Sequence, residues 1–226
     1  MKKTLLAALG MLLLLLGGGL LGLYQVGTDA KAYLAVSRET ADYGYIGLSK
    51  GQTDEALTSL SRYLRGDASA LDDSPFNARE KRHMQDVRAL FEVCRNVSVA
   101  CLAWGAAVVL LSRADGKRLL LGMLISWLPV AACALYVLQA DFGTLFTRFH
   151  LLAFTNDLWL LDPATDVMIR MLPQEFFEKM ALRLLNPAYP LGAQAAGLLC
   201  AETVRAVWGR KHAIRANRPR KGAGIA

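Results

Sequence analysis

The sequence predicts a mainly α membrane protein, a four-transmembrane-helix bundle beneath an extracytoplasmic cap formed by residues 27–93 and 141–186. Three observations carry that expectation. Hydrophobic residues make up 54% of the chain, yet 20% of it is charged, so the two kinds must be segregated into blocks. Four stretches carry no charge: 25 residues between Lys3 and Asp29, 17 between Arg95 and Arg113, 22 between Arg118 and Asp141, and 18 between Arg183 and Glu202. Each suits the roughly 17–25 residues with which a helix crosses a hydrocarbon core about 30 Å thick. The same blocks exclude a wholly soluble enzyme, a small disulfide scaffold, and a β-barrel, whose strands alternate over about 10 residues.

Residues 1–26 read as the first span. Its apolar core, Leu5 to Tyr24, exceeds the roughly 7–15 residues of a signal-peptide core, and no small-x-small cleavage site follows, so retention is expected. Gly17, Gly18, Gly19 and Gly22 would admit a close neighbour. In cap segment 27–93, Ala56, Leu57, Leu60, Tyr63 and Leu64 recur at helical spacing across Asp54 to Arg65, and Gly66 can end that helix. Asp72-Asp73-Ser74-Pro75 is a turn signal. From Asn77 onward Met84, Val87, Leu90, Phe91 and Cys94 share one side. No Gly or Pro intervenes before Gly105, so one helix is expected to continue from the cap into the second span, 94–112.

The 113–118 loop leads into the third span, 119–140, where Pro129 marks a kink that neighbouring helices compensate. Cap segment 141–186 is dense in aromatics, including Phe142 and Phe146. Asp162-Pro163 marks a turn, and Gln174 to Leu185 reads as an amphipathic helix on the membrane surface. The fourth span, 187–208, ends near Glu202 and Arg205, one turn apart and able to pair. Residues 209–226 form a basic tail.

Net charge is +7, but its distribution matters more. The N-terminus, the 113–118 loop and the tail hold 11 basic residues and one acid, Asp115, whereas the remainder holds 15 basic and 18 acidic residues. Basic segments stay cytoplasmic. Both termini are therefore expected inside, with both cap segments outside. The tail can meet anionic lipid headgroups of the bilayer, so no nucleic-acid partner is implied. Cys94, Cys101, Cys133 and Cys200 form no C-x-x-C pair and read as small packing residues.

Chemically capable residues are few. His212 lies in the tail, while His83 and His150 both fall outside the membrane near the entry of a span. Two histidines can divide acid and base duties at neutral pH. Glu80 and Asp86 stand three residues on either side of His83, which suggests that they orient its ring and raise its basicity. Asn156, Asp157, Asp162 and Asp166 are the polar residues following His150. There is no metal-ligand set, P-loop, Rossmann glycine run or G-x-S-x-G, so no cofactor and no metal are expected. Spacing alone leaves two readings open: a catalytic histidine pair, or a non-catalytic protein that grips lipid or a partner through an aromatic cap.

Two strings bear on that choice. One runs from Asn77 through Glu80 and His83 to Asp86 and Val87. The other begins Phe149-His150-Leu151-Leu152-Ala153-Phe154-Thr155-Asn156-Asp157-Leu158-Trp159 and continues through Asp162-Pro163 and Asp166 to Phe176-Phe177. With the four-span layout they resemble the lipoprotein intramolecular transacylase (Lit) family of bacterial membrane proteins. The resemblance implies a four-helix bundle with an extracytoplasmic cap and two catalytic histidines at the cap–membrane interface, here His83 and His150. It further implies a substrate, a diacylglyceryl lipoprotein with a free N-terminal cysteine, whose sn-2 acyl chain moves to the cysteine amine to give the lyso form. Such intramolecular ester aminolysis needs no enzyme nucleophile. It needs proton transfer, oxyanion stabilisation and a pocket that folds the lipid head and excludes water. Phe149, Phe154, Trp159, Phe176 and Phe177 are the candidate pocket walls. His83 is expected as the base and His150 as the group assisting the oxyanion, with the reverse equally allowed by spacing. A monomer is expected.

Overall fold

Helices dominate because the caps and the apolar periodicity agree. The structure, a computed structural model, describes residues 2–71, 75–184 and 186–216, without the side chains of residues 138 and 209–216. The turn expected at residues 72–74, Leu185 and the tail beyond Ala216 lie outside the described residues. In chain order the elements are α1 (Lys2–Gly27), α2 (Ala30–Thr40), α3 (Tyr43–Ile46), α4 (Lys50–Arg65), α5 (Ala78–Ser112), α6 (Gly116–Gln139), α7 (Phe142–Ala153), α8 (Val167–Met171), α9 (Gln174–Leu184) and α10 (Ala188–Ala216). No strand occurs among the described residues.

Local chemistry explains the boundaries. Asp29, Asp42, Ser49, Asn77, Asp115 and Asp141 each cap a helix start by accepting a backbone N–H, a contact worth about 1 kcal/mol. Ser49 and Asn77 complete capping boxes with Gln52 and Glu80. Gly66 ends α4 in the left-handed region at φ 93°, which favours glycine. As the uninterrupted pattern after Asn77 predicts, α5 is a single helix of 35 residues. Pro129 sits inside α6.

Among the described residues three helices are long and apolar enough to cross a membrane: Lys2–Gly27, Ala78–Ser112 and the Gly116–Val137 part of α6. In α5 the uncharged stretch starts only after Arg95, leaving its first half outside that stretch. The fourth expected span falls in α10, which has the length but is interrupted by Gln194, Glu202 and Arg205; the last two pair at 2.9 Å.

α1 packs against α5, α6 and α10. Glycines allow the approach: a Cβ on Gly17 would lie 3.0 Å from the Leu102 nitrogen, and one on Gly18 would lie 2.7 Å from the Pro190 Cα. Met11, Leu14, Val109 and Leu119 fill this core. Gln194 ties three helices together. Its amide donates to the Met11 carbonyl at 3.0 Å and to Ser126 Oγ at 2.9 Å, and its oxygen accepts from Trp127 Nε1 at 2.9 Å.

A second core joins α2, α4, α8, α9 and the first half of α5 around Val36, Leu57, Leu60, Met171 and Phe176. Burying each large side chain contributes about 1.5–3 kcal/mol. This layer places α5 beside the α7–α9 segment and so builds the site.

A histidine pair at one end of an apolar cavity

His83 lies on the second turn of α5, at a position turned into the second core, and is 5% exposed. His150 lies near the end of α7 and is 7% exposed. Their ring centroids stand 6.2 Å apart with planes inclined by 35°. Both line a cavity of about 540 Å³ whose other walls are almost entirely apolar. Phe154 presents its edge to His83 at 5.2 Å, and Trp159 and Phe149 approach His150 at 4.9 and 5.2 Å. Phe176 and Phe177 form a further wall, with Phe177 reaching Phe146 at 5.2 Å. All five aromatics predicted as walls therefore line one cavity with both histidines.

The rings are not equivalent. His150 Nδ1 lies 2.7 Å from the carbonyl oxygen of Phe146, one turn earlier. Donation to that carbonyl fixes the proton on Nδ1 and leaves Nε2 as the acceptor. His83 Nδ1 is buried with no hydrogen-bond partner. Burial, the neighbouring His150 and, in the opposite sense, Asp86 set the His83 ring, whose pKa is pushed down from 6.5 to about 4. Burial also lowers His150, opposed by its bond to Phe146. Both rings are neutral at pH 7.

That corrects the expectation that flanking acids raise the basicity of His83. Desolvation of the imidazolium outweighs Asp86, and Glu80 takes no part. The Glu80 carboxylate is fully buried, and both its oxygens accept backbone N–H groups, from Asn77 at 2.6 Å and from Met168 at 2.5 Å. Burial raises its pKa against those hydrogen bonds.

The remaining predicted polar residues lie outside the cavity and fasten its walls. Asn77 Nδ2 donates to Asp166 Oδ1 at 2.7 Å, and the backbone N–H of Asp162 donates to Asp166 Oδ2 at 2.7 Å. Asp162 Oδ1 accepts from Ala164 and closes the turn. Asn156 Nδ2 donates to Asp86 Oδ2 at 3.0 Å. Asp157 contributes its carbonyl, which accepts from Arg79 Nη2 at 2.5 Å, as does that of Leu160 at 3.1 Å. The two sequence strings thus meet as a clamp between the start of α5 and the loop after α7.

Sequence reasoning missed Phe146 and Arg79 as site residues. Phe146 is four residues before His150, the spacing at which a helical side chain meets an earlier carbonyl, so its position held a usable signal. Arg79 had none beyond its place in the first string. Among the described residues no group of three or more His, Cys, Asp or Glu side chains is placed to hold a metal ion.

Comparison with known proteins fits this arrangement. The chain resembles the solved structure of the membrane-integral lipoprotein intramolecular transacylase Lit from Bacillus cereus, at 21% identity over 93% of this chain and 97% of that one, with a TM-score of 0.68. Two variants of that protein, with one histidine replaced by arginine or by alanine, align at 22% identity over 93% of this chain, with TM-scores of 0.58 and 0.57. They cover 92% and 94% of the variant chains. These likenesses establish a shared fold. No curated protein sequence matches the chain. The family model for lipoprotein intramolecular transacylase Lit matches residues 10–177, a region that holds both histidine strings, and the chain belongs to that family of transferases.

Proposed function

We propose that this chain moves the sn-2 acyl chain of a diacylglyceryl lipoprotein to that lipoprotein's own N-terminal cysteine amine, giving the lyso form. The observation that carries the reading is the pair of neutral imidazoles, 6.2 Å apart, at one end of an apolar cavity of about 540 Å³. The cysteine nitrogen attacks the ester carbonyl carbon. A C–N bond forms and the C–O bond to sn-2 breaks. The proton lost by the amine goes to His150 Nε2, whose lone pair is left free by the bond from Nδ1 to Phe146. Neutral His83 donates an N–H to the developing oxyanion, and the His150 imidazolium returns its Nε2 proton to the sn-2 oxygen, which leaves as the alcohol. This reverses the division of labour expected from the acids flanking His83.

The apolar walls exclude water, which would otherwise hydrolyse the ester, and they hold amine and carbonyl within about 3–3.5 Å. α1, α5, α6 and α10 are the four spans of a monomer in the bacterial plasma membrane, with both termini cytoplasmic. The layer containing α2–α4 and α7–α9 is the extracytoplasmic cap, and the site sits at its interface with the bilayer. The segregated charges and the bundle contacts around α1 support this arrangement. No cofactor is required.

The test is expression in a bacterial host that makes diacyl lipoproteins, with mass spectrometry of lipoprotein N-termini. Conversion to the lyso form with an N-acyl cysteine is expected. Unchanged lipopeptides despite confirmed membrane insertion would overturn the proposal.

A further inference from the structure

The cavity is elongated, and α5 gives its direction. His83, Met84, Val87, Leu90, Phe91 and Cys94 all line it. They occupy one face of a continuous helix, so the lining runs about 16 Å along the axis from His83 to Cys94. That is close to the thickness of one hydrocarbon leaflet, about half of a 30 Å core. Cys94 borders the uncharged stretch of α5, so the cavity leads from the two histidines toward the bilayer interior.

α1 flanks the far end. It runs antiparallel to α5, with Gly27 against Phe91, Tyr24 beneath the Arg95 guanidinium, and Gly17 against Leu102. In this register Leu23 stands about 3 Å beyond Cys94, and these are the deepest residues of α1 and α5 that line the cavity. The cavity, about 540 Å³ and walled almost wholly by apolar side chains, suits an aliphatic chain.

We infer that Cys94 and Leu23 form the floor of an acyl tunnel, so that these two residues set the length of the sn-2 chain accepted for transfer. This rests on the transacylase reading. The ester carbonyl sits at the His83–His150 end and the methyl end of its chain points at Cys94. Aliphatic contact along the tunnel then positions the carbonyl, and a chain too long for the floor pushes it past the imidazoles.

The experiment uses the full-length chain in nanodiscs and synthetic diacylglyceryl lipopeptides whose sn-2 chains run from 8 to 18 carbons at constant sn-1, with a second series in which only sn-1 varies. Cys94→Trp raises the floor. The ratio of turnover on the 16-carbon sn-2 substrate to that on the 8-carbon one is expected to fall at least 10-fold relative to the unmodified protein, and Leu23→Phe should act in the same direction. The sn-1 series should leave the corresponding ratio unmoved. Uniform loss across lengths, no change in the ratio, or a shift that follows sn-1 overturns the inference.

A readout without turnover separates this from failure of the transacylase reading. In a variant retaining Cys94 as its only thiol, maleimide labelling of Cys94 should be slowed by single-chain 16-carbon monoacylglycerol and not by the 8-carbon homologue. Equal protection by both, or by neither, also overturns the floor assignment. If the unmodified protein converts no lipopeptide and this length-dependent protection is still seen, the chemistry is wrong and the tunnel stands.

Discussion

Glu80 and Met168 are joined by a hydrogen bond of 2.5 Å from the Met168 backbone N–H to a fully buried carboxylate oxygen. The bond ties the first turn of α5 to the first turn of α8, and the other Glu80 oxygen closes the Asn77 cap. One of the two acids that flank His83 in the sequence therefore secures the frame around the cavity instead of tuning the ring.

Glu80→Ala is expected to strand the buried Met168 N–H, at about 1–3 kcal/mol, and to open the half-buried cap bond from Asn77. The thermal midpoint in detergent should drop by several degrees, and Glu80→Gln should recover part of the loss because its amide oxygen can replace one acceptor. An unchanged midpoint in Glu80→Ala would show that the tie contributes nothing.

His83→Gln and His150→Gln should each lower turnover by about 10²–10⁴ in the lipopeptide assay, the usual scale for a lost acid–base group. Near-normal conversion by both variants would end the two-histidine mechanism.

pH distinguishes His83 from an ordinary histidine. Its folded pKa of about 4 lies below the ordinary histidine value of 6.5, so between those values the unfolded chain takes up a proton that the folded ring refuses. The stability that depends on this ring is complete above about pH 6.5 and is lost as pH falls toward 4. Melts between pH 4 and 7 should show that slope, flattened in His83→Gln. In kcat/KM no histidine limb is expected near pH 6.5; activity should instead rise with deprotonation of the substrate α-amine, around 7.7–8.0. A limb at 6.5 that vanishes in either histidine variant would contradict the buried neutral pair.

Gly18→Ala places a Cβ 2.7 Å from the Pro190 Cα and the Tyr189 carbonyl, both backbone atoms that cannot rotate aside. A destabilisation of about 1–3 kcal/mol is expected. The neighbouring Gly19→Ala meets nothing within 4 Å and should be neutral or slightly stabilising. Equal melting of the two variants would rule out the close α1–α10 contact.

Single cysteines at Ala70 or Thr165 should react with an impermeant reagent from outside intact cells, and one at Asp115 should not. Labelling at 115 alone would invert the topology.

Much of this was legible in the chain. Charge-free blocks and cap residues announce their own helices, so α1, α4, α5, α6 and α9 follow from local pattern. α7 does not, because its apolar residues point both ways: His150 and Phe146 line the cavity while Leu151 and Leu152 are 66% and 89% exposed. The histidine pair was legible as two residues near the membrane, but not their depressed basicity, which comes from burial by chain segments distant in sequence. Glu80 misleads for a related reason: three residues from His83 on a helix is close, yet its carboxylate turns toward α8.

The unbroken run of α5 from the Asn77 cap into the bilayer fixes the angular phase of the chemistry as well as its height. Inserting one residue after Cys94 would rotate His83 by about 100° and lift it by about 1.5 Å, taking the imidazole off the face it shares with His150. Inserting seven would restore the azimuth and raise it by about 10 Å. On the proposed reading the pitch of one helix sets the height and facing of His83 against the membrane, so a length change inside α5 would uncouple the two where one in a loop would not.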